Sequence, residues 1–188
     1  MENKSAKRRL KTNELVYAAL CAAVIAVCSW IQIPATVPFT LQTFAVFLTV
    51  GVLGGRLGTL AVSVYIVLGA IGIPVFAGFT GGFGVLAGPT GGYIIGFIFS
   101  ALVMWFAEKT FGTKKLVLAL AMAAGLVVCY AFGTAWFMVV YAGRGNAVSL
   151  ATALGWCVVP FILPDAVKIF LAMKLGPLLR DRISRRKD

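Results

Sequence analysis

Apolar segments at roughly 14–33, 40–54, 57–72, 89–107, 115–141 and 150–179 leave this chain little polar surface with which to face water. The sequence is 61% hydrophobic and 12% charged, about half the charged share of a globular protein. A soluble domain must put polar groups outside; a bilayer lifts that demand. One spanning helix needs ~20 apolar residues, so the 188 residues hold six crossings with short links and no separate soluble domain. The second and third segments are short for full crossings. In the sixth, Pro160 and Pro164 interrupt the helical run, and the last helix is expected to begin near Pro164, where proline suits a first helical turn.

The cations are distributed by connection. Lys4, Lys7, Arg8, Arg9 and Lys11 precede the first segment, and Arg180, Arg182, Arg185, Arg186 and Lys187 follow the last, with Lys174 just ahead. The link 54–57 carries Arg56 and the link 108–115 carries Lys109, Lys114 and Lys115. The links 32–39 and 73–88 carry none, and 142–149 only Arg144. Rich and poor connections alternate, and cytoplasmic loops hold the Lys and Arg excess. The fold expected is an all-α membrane protein of six transmembrane helices with both termini cytoplasmic, one unit over 1–188. Its basic tails are 1–13 and 180–188, and its outward glycine-rich loop is 73–88. The net charge of +11 then reads as orientation and contact with anionic lipid, not as nucleic-acid binding, which needs a folded basic surface. The first segment follows a basic start as a signal peptide does. It lacks a small-residue cleavage site and is expected to stay as a helix.

Catalytic and metal chemistry find no foothold. The chain has no histidine, which removes the commonest metal ligand and general base. Cys21, Cys28, Cys129 and Cys157 lie in apolar runs without a CxxC and read as small hydrophobes. HExxH, GxSxG and GxxxxGK[ST] are all absent. No catalytic residue, metal or cofactor is expected, and no nucleotide-binding motif supplies energy. A binding or transport subunit needs only a pocket; a membrane-embedded enzyme or a structural subunit is the alternative from another class.

Three features bear on a pocket and its partners. Ala18, Ala22 and Ala26 share one face of the first helix. Small residues let another helix approach closely in lipid, either within this chain or from another membrane subunit. The stretch 69–96 holds ten glycines interleaved with Phe76, Phe79, Phe83 and Tyr93. Glycine allows backbone to come close to a ligand, so this segment is read as a lid over a small, partly apolar molecule, or as a structural re-entrant loop. Of the acidic residues, only Asp165 lies deep in an apolar segment, with Lys168 three residues on and on the same face. An intramembrane ionisable group is a functional candidate by default; mutual neutralisation is the plainer reading. Fifteen residues separate Asp165 from Arg180, or ~22 Å of helix at ~1.5 Å per residue, which sets Asp165 toward the outer side with the glycine-rich loop. Thr40, Gln42 and Thr43 open a helix on that side and offer polar groups to a ligand or a cap.

The run GIPVFAGFTGGFGVLAGPTGGYIIGF at 72–97 resembles the signature of the BioY family, the biotin-specific substrate-binding components of energy-coupling factor transporters. PFTLQTFAVFL at 38–48, GGRLGTL at 54–60 and PDAVKIFLA at 164–172 extend the resemblance in order along most of the chain. It implies six helices and one vitamin bound from outside. It also implies partnership with a coupling membrane subunit and two ATPase subunits, and toppling in the membrane to release substrate inward. The family's acidic residue and lysine match Asp165 and Lys168. With Gln42, Thr43, Phe76, Phe79, Gly81, Gly82, Thr90 and Tyr93 they form the expected substrate-binding set, and Ala18, Ala22 and Ala26 the expected docking face. Some relatives carry a polar residue before the paired glycines, where this chain has Phe76–Thr80. Another vitamin of the same transporter class is the nearest alternative substrate.

Overall fold

The computed structural model describes residues 11–35 and 37–185. The basic residues Lys4, Lys7, Arg8, Arg9, Arg186 and Lys187, and the Arg185 side chain, lie outside the described part. Helices follow the apolar segments closely: α1 Thr12–Trp30, α2 Gln42–Leu53, α3 Gly55–Ala70, α4 Phe83–Leu86, α5 Gly91–Phe111, α6 Lys115–Gly143, α7 Leu150–Cys157 and α8 Val159–Arg185. Between α1 and α2 the two-residue strands β1 (Gln32–Ile33) and β2 (Phe39–Thr40) pair antiparallel as a short hairpin.

By length and composition α1, α5 and α6 are each able to cross a membrane. The pair α7 and α8, bent by 41° at their junction, would be a fourth crossing. Helices α2 and α3 are apolar but shorter, at 12 and 16 residues. The break in the last segment falls at Val158, not near Pro164 as the sequence suggested. Pro160 sits in the first turn of α8, where an N–H would have no helical partner. Helix α8 runs on through Pro164 and Pro177, each at the loss of one backbone hydrogen bond.

Helix α2 is central and packs against α1, α3, α5 and α8. Close approach depends on glycine. A Cβ at Gly58 would collide with Val50 in the α2–α3 hairpin, and Gly51 faces Gly176 of α8 at ordinary contact distance. At this end of the bundle Glu108 of α5 accepts from the Gly55 N–H, at the positive end of the α3 dipole. It also accepts from Arg180 of α8 at 2.9 Å. One carboxylate thereby ties three helices together, far from Asp165.

The alanine stripe faces inward. Ala18, Ala22 and Ala26 are only 3%, 3% and 6% exposed, covered by α2 and α3 of the same chain. They are therefore packing residues of this fold, not the outer docking face named for them above. The surface that α1 leaves uncovered runs through Leu15, Ala19, Leu20, Ala23 and Val27.

Neighbouring alanines should then behave oppositely. Ala22→Trp overfills a closed helix interface and should cost at least ~1–3 kcal/mol, seen as a lower midpoint in thermal unfolding. Ala23→Trp points outward and should leave the midpoint within a degree or two of wild type (~0.5 kcal/mol or less). Equal midpoints for the two variants would contradict the packing assigned to α1.

Candidate functional site

A pocket opens at the end of the bundle opposite Glu108. Its walls are apolar side chains of α5, α6 and α8, including Ile94, Phe97, Leu126 and Phe161. Three of its groups form one polar cluster. Lys168 Nζ donates to Asp165 Oδ1 at 2.7 Å, and the Tyr130 hydroxyl donates to Asp165 Oδ2 at 2.6 Å. Asp165 is 2% and Lys168 9% exposed. Spacing of three on α8 sets carboxylate and ammonium side by side, and α6 brings Tyr130 across to them.

A buried charge needs a partner, because leaving water costs several kcal/mol per ion. Asp165 has two donors, one per oxygen, and each oxygen keeps a lone pair for a further bond. The cluster thus presents acceptors beside a donor in a largely apolar cavity. That suits a ligand carrying both N–H and C=O groups on a largely apolar frame.

The start of α5 is shaped for this site. A Cβ at Gly92 would strike the Trp136 ring, and one at Gly133 the Tyr93 ring. Without those methyl groups α5 and α6 close up. Trp136 donates to the Gly88 carbonyl at 3.0 Å, Tyr93 and Thr134 share a hydrogen bond at 3.0 Å, and Thr90 and Tyr93 are set into the pocket wall. From α2, Gln42 and Thr43 form another wall, with the Gln42 amide nitrogen donating to the Tyr65 hydroxyl at 2.9 Å.

Six of the ten binding residues expected from sequence therefore line one cavity: Asp165, Lys168, Gln42, Thr43, Thr90 and Tyr93. The other four do not. Phe76 is turned into the fold, where its ring meets Tyr65 edge-on at 5.6 Å and fills the space that Gly69 leaves. Phe79, at φ 56, stacks on Trp30 at 4.8 Å and is exposed on its other side. Gly81 lies against the Ile73 carbonyl, and Gly82, at φ 98, donates to the Gly69 carbonyl at 2.7 Å. These residues hold the glycine-rich segment in shape. Within the loop 73–88 the residue that lines the pocket is Ala77.

What covers the pocket is instead the hairpin between α1 and α2, through Val37, Pro38 and Thr40. Phe39 of that hairpin stacks on Phe161 at 4.1 Å. Sequence reasoning also passed over Tyr130. The available signal was a phenol inside a long apolar helix, where its hydroxyl must find a partner.

The sequence model of the BioY family matches residues 1–185. A biotin transporter BioY of Thermotoga maritima is 43% identical over 168 residues, covering 89% of this chain and 95% of that protein. A probable biotin transporter BioY of Pyrococcus horikoshii is 38% identical over 172 residues, covering 91% and 98%. Among solved structures, the S-component for biotin from an ECF-type ABC transporter superposes with a TM-score of 0.79 at 27% identity, over 92% of this chain and 95% of the other.

The buried pair makes a prediction independent of any ligand. Lys168→Met strands the Asp165 charge and should cost ~3 kcal/mol or more, whereas Asp165→Asn combined with Lys168→Met should recover most of that loss. Denaturant titration of the purified variants measures both. A double variant no more stable than Lys168→Met would contradict the coupling.

Proposed function

The chain belongs to the BioY family, and we propose that it is the biotin-capturing subunit of an energy-coupling factor uptake system in the cell membrane. The observation that carries this reading is the Asp165–Lys168 pair inside an apolar pocket. Biotin brings a ureido ring with two N–H donors and a carbonyl, an apolar thiophane ring and a carboxylate tail. A ureido N–H donates to Asp165 in a charge-assisted bond. Lys168 serves the ureido carbonyl or the tail carboxylate, and the rings lie against the apolar walls. Hydrogen bonds made away from water in such a cavity gain strength from the low local dielectric.

Six crossings with both termini in the cytoplasm agree with the alternation of charged and uncharged links. On this reading α2 and α3 cross as a tight hairpin, with α7 and α8 as one broken crossing. The pocket then faces outward, and the Glu108–Arg180 end faces the cytoplasm. The chain carries no nucleotide-binding motif, so transport draws on a coupling membrane subunit and two ATPase subunits. The uncovered face of α1, with Ala19 and Ala23 outward, suits close packing by such a subunit.

Asp165→Asn keeps the size of the side chain and an acceptor for Tyr130, but removes the negative charge. Biotin affinity should fall by about 100-fold, the ~2.7 kcal/mol of a hydrogen bond to a charged group. The thermal midpoint should fall as well, because Lys168 is left buried without its counter-ion, so the affinity is read on the folded fraction. Titration calorimetry in detergent reads the affinity, and undiminished binding by this variant would remove Asp165 from the site.

A further inference from the structure

We infer that Tyr130 is a positioning residue of the binding site. Its hydroxyl orients the Asp165 carboxylate so that the remaining lone pairs face the ligand. The inference rests on the proposed biotin site and adds to it a residue from a different helix. The rotation of a carboxylate about its last bond is broad, and on its own helix α8 the Asp165 carboxylate is held by Lys168. Lys168 holds Oδ1 from one side, and Tyr130 of α6 holds Oδ2 at 2.6 Å from the other. Two donors on two oxygens fix the plane of the group. A ligand N–H then meets an acceptor already aimed, without the ordering cost of a free side chain.

Tyr130 has the right placement for this role in a second respect. Tyr130 lines both the proposed ligand pocket and an apolar groove whose other walls include Val127, Leu150, Leu154 and Val158. The side chain belongs to the lining of the site, and its hydroxyl is the part that reaches Asp165. The hydroxyl's hydrogen is used on Asp165, so toward the cavity it offers only an acceptor.

Tyr130→Phe separates the two roles, since it keeps the wall and removes the donor. Biotin affinity should fall about tenfold in the native background and about twofold or less in the Asp165→Asn background, where the group to be positioned has already been changed. A general structural role would weaken binding equally in both backgrounds; that result, or no loss in the native background, would overturn the assignment. A second readout needs no ligand. The asymmetric carboxylate stretch of Asp165, identified by infrared difference against Asp165→Asn, should shift and broaden in Tyr130→Phe. An unmoved band would also overturn the assignment. If the band shifts but wild type fails to bind biotin, the biotin reading fails while the positioning role stands for another ligand.

Discussion

A carboxylate and an ammonium 2.7 Å apart inside an apolar helix bundle impose most of the demands that this structure meets. Neither charge is tolerable alone in a low-dielectric interior. Each must be paired, and the carboxylate needs donors on both oxygens. Helix α8 supplies Asp165 and Lys168 one turn apart, and α6 must come close enough to offer Tyr130. The ion pair is also what makes the pocket chemically specific, since the rest of the wall is mainly hydrocarbon and aromatic.

The bundle around that pair is organised by missing side chains. In lipid, helices gain little from hiding apolar surface, so close packing decides which pairs associate. Gly92 and Gly133 let α5 and α6 mesh against Trp136 and Tyr93, and this lays Tyr93 along the pocket. Gly51, Gly58 and Gly176 do the same for α2, α3 and α8 at the far end, where Glu108 and Arg180 fasten the helix ends. The pocket end has no such ion-pair clamp between helices among the described residues. Its cover is a short hairpin held by the Phe39–Phe161 stack.

The helices were legible in the sequence because apolar runs and the charges between them answer to one physical cause, the thickness and polarity of a bilayer. Asp165 was legible for the same reason, as a carboxylate where carboxylates are costly. The misreadings came from residue types whose meaning depends on tertiary context. Phe76 and Phe79 lie among glycines and looked available to a ligand, yet Gly69 makes room for the Phe76 ring and Trp30 takes the Phe79 ring. The Ala18, Ala22 and Ala26 stripe signals close helix approach, and periodicity alone does not say whether the approaching helix belongs to this chain. Two prolines in the sixth segment marked a break, but its place was decided at Val158 by the 41° turn. Tyr130 was missed because a lone phenol in a long apolar helix has no sequence spacing that ties it to Asp165, 35 positions away.

The most direct test of the account is equilibrium binding of labelled biotin to the purified full chain in detergent, with unlabelled biotin, riboflavin and thiamine as competitors. The account predicts saturable binding of one biotin per chain, displaced by unlabelled biotin and untouched by the other two vitamins. A well-folded protein that fails to bind biotin, or that releases it to riboflavin or thiamine, would contradict it.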